Sequence, residues 1–223
     1  MNKTKLRLSL LLLGSLALGS CSKSGGNEFT AEGTITDAAG KTLYLETTDT
    51  DEPQLIDSVT LDEKGRFRFR REAHSYPAFY RLRLGESFIP FAADSLTHLT
   101  LSASGKDLFS TYKIESGDEA NKQIREIGQL RTATDKAIEA ILTQLNNGTL
   151  DRGVALARID SLSTQLKNTL TSKYIFSDPK GAAAYYALFQ SYLGGTYFSI
   201  DHPGDDRAFA AVATAYDAFH PNA

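Results

Sequence analysis

The sequence predicts an α+β protein in which an N-terminal antiparallel β-sandwich or open barrel is followed by a small α-helical domain. Two observations lead to this fold class. Between Phe29 and Ile114, apolar and polar residues alternate in short runs, with turn signals about every eight to twelve residues. From Ser116 onward, the apolar residues recur at helical spacing instead. We therefore expect a β domain over residues 29–115 and a helical domain over residues 116–223.

The strand pattern is clearest in Arg66–Arg70, where phenylalanines occupy one face and arginines the other. The preceding Asp62–Gly65 is typical of a hairpin turn that ends in glycine. Further along the chain, Phe79–Leu84 repeats the alternation. The remaining predicted strands lie at Phe29–Ile35, Leu43–Leu45, Leu55–Leu61, Phe88–Phe91, Leu96–Leu101 and Tyr112–Ile114.

Four helices are predicted in the second half of the chain. Ser116 and Glu119 match a capping box, so the first helix is expected to start there and to end at Asn146-Asn147-Gly148. A second apolar stripe, Leu156–Tyr174, predicts a partner helix in an antiparallel hairpin. The third helix is predicted to use Asp178 as N-cap and Pro179 as its first residue, and to run through Ala182 to Leu193; the fourth follows Asp205-Asp206 and is broken at His220-Pro221.

Residues 1–20 have the pattern of a secretory signal peptide. Three cationic residues precede an eleven-residue apolar run, Leu8–Leu18, which is shorter than the about 20 residues needed to span a bilayer. Leu18-Gly19-Ser20-Cys21 resembles the bacterial lipobox. The resemblance implies cleavage before Cys21 and a diacylglycerol on its thiol, with residues 21–28 as a lipidated tether. The alternative is an uncleaved signal anchor with a free thiol.

The net charge and the predicted signal peptide together indicate where the protein resides. The 223 residues carry a net charge of −3, and the leader holds three of the 24 basic residues. Removing it leaves 21 basic against 27 acidic residues, a net charge of −6. Such an acidic body is not expected to bind nucleic acid. We expect a bacterial envelope protein, lipid-anchored to the membrane at Cys21 and facing the periplasm.

The sequence offers no catalytic residue, cofactor or metal site. Cys21 is the only cysteine, so its acylation would leave no thiol for a disulfide, a metal or nucleophilic catalysis. The histidines (His74, His98, His202 and His220) have no second ligand at useful spacing. The acidic loop with Asp49, Asp51 and Glu52 is read as solvated, because it lacks the glycine and distal glutamate of a calcium loop.

Two groups of residues are candidate binding sites. The possible anion-binding group consists of Arg66, Arg68, Arg70, Arg81 and Arg83. If their two strands pair, five guanidinium groups share one face and suit carboxylates or phosphates. The alternative is an exposed face whose charges pair with acids such as Asp57 or Glu46.

The second candidate is an aromatic cluster, which forms either a ligand groove or part of the helical core. Its members are Tyr185, Tyr186, Phe189, Tyr192, Tyr197 and Phe198.

Several short motifs resemble one group of bacterial lipoproteins. Ile56-Asp57-Ser58, Gly65–Phe69 and Tyr80-Arg81-Leu82 are similar to a β-rich domain of unknown function in TlpA-type thioredoxin-like lipoproteins. Ser177–Lys180, Ala184–Phe189 and Ala210–Ala213 are similar to the helical segment that follows it there. The resemblance implies an accessory region that positions a thioredoxin-like domain or recognises its clients.

The redox activity of those lipoproteins cannot be assigned to any residue here, since the 223 residues contain no C-x-x-C. We therefore expect either a natural or database truncation of a longer protein or a stand-alone accessory region. The alternative function is a lipid-anchored binding module for a small ligand or glycan, which would use the arginines or the aromatic cluster. An unrecognised enzyme is a third class, for which the sequence shows no catalytic constellation.

Overall fold

The computed structural model describes residues 27–48, 52–116, 118–192, 195–221 and 223. Cys21 and the predicted signal peptide (residues 1–20) lie outside these residues, as do Asp49 and Asp51. The first half of the described chain contains eight strands and one short helix. The strands are β1 (Glu28–Thr36), β2 (Thr42–Thr47), β3 (Gln54–Thr60), β4 (Arg66–Glu72), β5 (Ala78–Leu84), β6 (Ser87–Ala93), β7 (His98–Ser104) and β8 (Lys113–Ile114). The helix, α1 (Leu108–Thr111), precedes β8 and was not predicted.

The strands form two four-stranded sheets, with orders β4-β1-β7-β8 and β3-β2-β5-β6. Their inner faces pack into one core that includes Phe29 and Phe69 from the first sheet and Leu45 and Phe91 from the second. The predicted α+β class is therefore confirmed. The pairing is antiparallel except between β1 and β7, which run parallel. The first sheet is consequently mixed.

Two glycines allow backbones to approach closely around β1. A Cβ atom on Gly33 would lie 1.8 Å from the carbonyl oxygen of Leu101 in the parallel partner strand. A Cβ on Gly65 would lie 2.0 Å from the carbonyl oxygen of Ile35. Gly65 also has a φ of +73°, in the left-handed region that L-residues with side chains rarely adopt. No other residue type fits at either position.

The second half is mainly helical. Its helices are α2 (Glu119–Asn146), α3 (Arg152–Leu170), α4 (Ala182–Leu188) and α5 (Asp206–Phe219), and a π-helical turn (Thr171–Ile175) extends α3. Two short strands, β9 (Ser191–Tyr192) and β10 (Gly195–Thr196), form a small antiparallel hairpin. Of the helices that the structure describes, none combines the length and apolar character needed to cross a membrane.

The helix ends differ from the predictions at two places. Asp118, rather than Ser116, caps α2, because its side chain accepts a hydrogen bond from the backbone N–H of Asn121. The third predicted helix was too long at both ends. Asp178 precedes a turn, Gly181 is the N-cap of α4, and the helix ends at Leu188. The short strand β9 lies where the helix was predicted to continue.

The two halves are joined at the edge strand β6. Asn121, on the first turn of α2, is 2% exposed. Its Oδ1 accepts a hydrogen bond from the backbone N–H of Ala92, and its Nδ2 donates to the carbonyl oxygen of Ala92, both at 2.8 Å. The side-chain amide thus takes the place that a neighbouring strand would occupy. Ala92 in turn packs in the helical core, against residues that include Ile124 and Leu170.

We expect Asn121→Ala to lower the free energy of unfolding by about 3 kcal/mol, because both backbone polar groups of Ala92 would be left buried without partners. Urea unfolding at neutral pH measures the change. Asn168→Ala in α3 is the matched control: the residue is exposed, so its replacement is expected to change stability by less than about 0.5 kcal/mol. Equal effects of the two substitutions would contradict the structural role of Asn121.

Candidate functional site

In the described part of the chain, a large groove lies between the outer face of β5–β6 and the helices α4 and α5. Its volume is about 1270 Å³. The sheet contributes Phe79, Arg81, Phe88 and Pro90 to its wall. These residues face outward because the alternate positions of both strands, such as Leu82 and Ile89, are buried in the sandwich core.

The opposite wall comes from α4 and α5. Small residues on the inner side of α4, including Ala183, Ala184 and Ala187, are buried in the helical core. The larger side chains of Tyr185 and Tyr186 are consequently directed at the sheet. The ring centroids of Phe79 and Tyr185 are 5.2 Å apart, and those of Phe79 and Tyr186 are 6.4 Å apart; both pairs are stacked.

The rings continue along the groove as one series. Tyr185 lies 4.8 Å from Phe189 and 5.2 Å from Tyr216, measured between ring centroids. Tyr216 in turn lies 5.0 Å from His220. Phe189 is 56% exposed, so its ring presents an open apolar surface. Burial raises the pKa of Tyr186, so that its hydroxyl stays protonated at neutral pH.

Polar groups occur at a few places among these rings. The buried Gln190 donates from Nε2 to the carbonyl oxygen of Tyr186 at 2.7 Å. On the last turns of α5, Asp217 is exposed and lines the groove. His220 is hydrogen-bonded through Nε2 to the carbonyl oxygen of Lys180 at 3.2 Å. A mainly aromatic cleft with a few fixed polar groups is the usual form of a small-molecule site.

Arg81 is positioned at the groove by a buried carboxylate on the neighbouring strand. One oxygen of Glu46 accepts from Nε of Arg81 at 2.6 Å, and the other accepts from Nε of Arg83 at 2.8 Å. The guanidinium of Arg81 lies 5.1 Å from the ring centroid of Phe88, and that of Arg83 lies 4.4 Å from that of Tyr44. These contacts hold both arginines flat against the outer face of the sheet.

The pKa of Glu46 reflects opposing influences. Burial raises it, while the hydrogen bonds and charges of Arg83 and Arg81 lower it, and the net result is a pKa below the ordinary value of 4.5. Since its side chain is only 7% exposed, this ion pair is screened less than a surface pair. The charged carboxylate therefore stabilises the folded state.

The predicted arginine group does not form one surface. Because β4 and β5 belong to different sheets, the pairing on which a shared face depends does not occur. On β4, Arg66 pairs with Asp62 (2.6 Å), Arg68 with Glu32 (3.3 Å) and Arg70 with Glu28 (2.5 Å). On β5, Arg81 and Arg83 share Glu46. Of the five arginines, only Arg81 lines the groove.

The predicted aromatic cluster divides in two. Tyr185, Tyr186 and Phe189 line the groove, whereas Tyr197 and Phe198 are buried in the helical core. Tyr192 packs beside Tyr197, with 4.8 Å between ring centroids.

Sequence reasoning missed the groove residues Phe79, Phe88 and Tyr216. Phe79 could have been identified from the sequence, because it is the aromatic residue on the face of β5 that also carries Arg81 and Arg83. Nothing in the sequence around Phe88 and Tyr216 distinguishes them from ordinary strand and core residues.

The histidines that the sequence analysis considered as possible metal ligands lie apart from one another. His74 stacks on Tyr76 at 4.7 Å between ring centroids, and His98 is hydrogen-bonded to Thr30 at 2.9 Å. His202 lies 3.8 Å from a carboxylate oxygen of Asp205. Within the described ranges, no group of three or more His, Cys, Asp or Glu side chains is arranged to hold a metal ion.

No protein-family model matches the chain, and no curated protein matches it either. Function is therefore inferred from the groove and from the sequence pattern of residues 1–21.

We expect Glu46→Gln to lower the free energy of unfolding by about 2 kcal/mol at neutral pH, because two charge-assisted hydrogen bonds are weakened. The folded-state pKa is below the unfolded value of 4.5, so the contribution of Glu46 is complete above that pH and is lost as the pH falls through the folded-state pKa. The stability difference between wild type and variant should therefore shrink on acidification.

Urea titrations of both proteins at neutral pH and at about pH 3 measure this difference. Glu63→Gln, at an exposed turn position, is the control and should differ little from wild type at either pH. A difference for Glu46→Gln that is the same at both pH values would show that its charge does not contribute.

Proposed function

We propose that the protein is a lipid-anchored binding protein of the bacterial cell envelope, and that the groove between β5–β6 and α4–α5 holds its ligand. One observation carries the binding role. Arg81 from the sheet and Tyr185, Tyr186 and Phe189 from the helical half are distant in sequence but line the same groove. The arginine and the aromatic cluster thus contribute to one candidate site.

The dimensions and position of the groove support a binding role. Its volume of 1270 Å³ exceeds the about 300–1,000 Å³ of sites for drug-sized ligands. It lies between two packed structural units, where ligand sites are frequently found. Ring faces provide contact area at low conformational cost, and Arg81 is already fixed by Glu46, so little ordering is required on binding.

The leader sequence supports the location. Lys3, Lys5 and Arg7 precede an apolar run that ends at the lipobox-like Leu18–Cys21. Between Cys21 and β1, the tether reaches about 20 Å when fully extended. A lipid on Cys21 would therefore keep the sandwich close to the membrane surface and leave the groove accessible to soluble ligands.

A second candidate role follows from the resemblance to TlpA-type lipoproteins. In that role the chain is an accessory region that positions a thioredoxin-like domain or recognises its clients. The edge strand β3 favours it, because Leu55 and Ile56 are exposed there and an open edge can accept an extended client segment. In this case the clients would bind at the edge of the sheet rather than in the groove.

The groove can be tested by ligand screening with tyrosine fluorescence and thermal melts. The chain has no tryptophan, and five of its ten tyrosines line the groove, so tyrosine emission reports on its occupancy. We expect a ligand that raises the melting temperature to change this emission. Phe189→Ala should weaken binding about tenfold, through loss of an exposed stacking surface.

Phe176→Ala is the matched control for Phe189→Ala. Phe176 is 51% exposed, close to the 56% of Phe189, but lies outside the groove. Its replacement should leave ligand affinity unchanged. If both variants bind every stabilising ligand as well as wild type does, the groove is not the binding site.

The anchor can be tested in a Gram-negative host grown with radiolabelled palmitate. We expect the wild-type chain to be labelled and to sediment with membranes. Cys21→Ser should abolish labelling, because the serine hydroxyl cannot form the thioether. Incorporation of palmitate into the Cys21→Ser variant, or its absence from the wild type, would contradict lipidation at this residue.

A further inference from the structure

The groove continues into two smaller depressions. A depression of 460 Å³, which reaches Arg131 and Glu86, shares Phe88 and Phe189 with the groove wall. At the other end, a depression of 340 Å³ reaches Asp94 and shares Pro77 and His220 with it. Because they share these residues, the three depressions adjoin one another along the junction of sheet and helices, and we call them together the trough. Their combined space suits a chain of linked units better than one compact molecule.

The apolar wall of the main groove in this trough is made mainly of aromatic rings. Among the described residues that line the main groove, eight are Phe or Tyr, and five of these carry hydroxyls. Leucine, isoleucine, valine and methionine are missing from the described lining residues of all three depressions. Both cores of the protein are nevertheless rich in leucine and isoleucine. The trough therefore differs in composition from the buried apolar surfaces of the same molecule.

Ring faces and aliphatic side chains suit different ligands. A flexible acyl chain or the apolar face of a peptide helix gains most from irregular pockets formed by branched or flexible side chains. Aromatic faces are flat and carry partial negative charge. They match cyclic ligands whose C–H bonds point to one side, such as pyranose rings. An exposed ring such as Phe189, next to Tyr185, provides such a surface.

The polar groups in the trough restrict the class of ligand further. Arg81 can only donate hydrogen bonds, Asp217 can only accept them when ionised, and the amide of Gln190 can do both. A sugar hydroxyl also both donates and accepts, so it can pair with every one of these groups. A polyproline helix also suits aromatic grooves, but its prolines lack N–H groups and therefore cannot donate a hydrogen bond to Asp217.

We infer that the trough binds a linear oligosaccharide, with one sugar ring stacked on the exposed ring of Phe189 and with hydroxyls of neighbouring sugars paired to Arg81 and Asp217. This inference rests on the proposed function, since it assigns a ligand class to the same groove. A chain of several sugars is required because one sugar ring on Phe189 would leave the adjoining depressions empty.

The test uses the complete chain, with tyrosine fluorescence and isothermal titration calorimetry as readouts. The probes are maltohexaose, cellohexaose, chitohexaose and hexagalacturonate, the corresponding disaccharides, and decaproline. We expect at least one hexasaccharide to bind about tenfold or more tightly than its disaccharide. Phe189→Ala should weaken that binding about tenfold, and Phe176→Ala should leave it unchanged.

The possible outcomes separate the two proposals. If decaproline binds in a manner that depends on Phe189 and no sugar does, the oligosaccharide inference is overturned and the groove remains a ligand site. If a hexasaccharide binds equally well to wild type and to Phe189→Ala, the sugar does not stack on Phe189 and the oligosaccharide inference is overturned, while the ligand screen still tests the groove as a binding site. Absence of binding by every probe also overturns the oligosaccharide inference, while the broader ligand screen still decides the binding role.

Discussion

The hydrogen-bonded contact between Asn121 and Ala92 is the constraint on which the rest of the structure depends. An edge strand such as β6 exposes unpaired backbone groups, and covering it with a helix would bury them at a cost. The amide of Asn121 removes that cost, because it offers one donor and one acceptor with the spacing of a peptide group. The first turn of α2 can therefore lie directly against the sandwich, and the helical core extends over Ala92.

The groove is a consequence of this attachment. With α2 fixed at β6, α4 and α5 project over the outer face of β5–β6 and leave a gap beside the helical core. Glu46 completes the sheet side of the gap, since its two hydrogen bonds hold Arg81 and Arg83 against the strands. The site is thus assembled from elements that are each stabilised for structural reasons, and its side chains are ordered before any ligand arrives.

Local patterns predicted much of the fold but little of the site. The alternation of Phe67 and Phe69 with arginines was sufficient to predict β4 and the face it buries, because strand periodicity depends only on neighbouring residues. Which sheet β4 joins depends on its pairing with β1, some 40 residues away, and short-range pattern holds no information on that choice. The shared face of the five arginines depended on pairing of β4 with β5 and does not form. The alternative, in which the arginines pair with acids such as Glu46, agrees with the structure at Arg81 and Arg83. Phe88 and Tyr216 were missed for the same reason, because their proximity to Tyr185 arises only when the two halves pack.

The most direct measurement of this arrangement is amide hydrogen exchange of Ala92, followed by NMR. If Asn121 replaces a neighbouring strand, the Ala92 amide should exchange as slowly as amides in the middle of α2, such as that of Ile127, because both open only when the two halves separate or unfold. If the Ala92 amide exchanges as fast as the outward amides of the open edge strand β3, the attachment of the two halves through Asn121 is contradicted. The sandwich and the helices would then be loosely attached, and the groove between them would not be a preformed site.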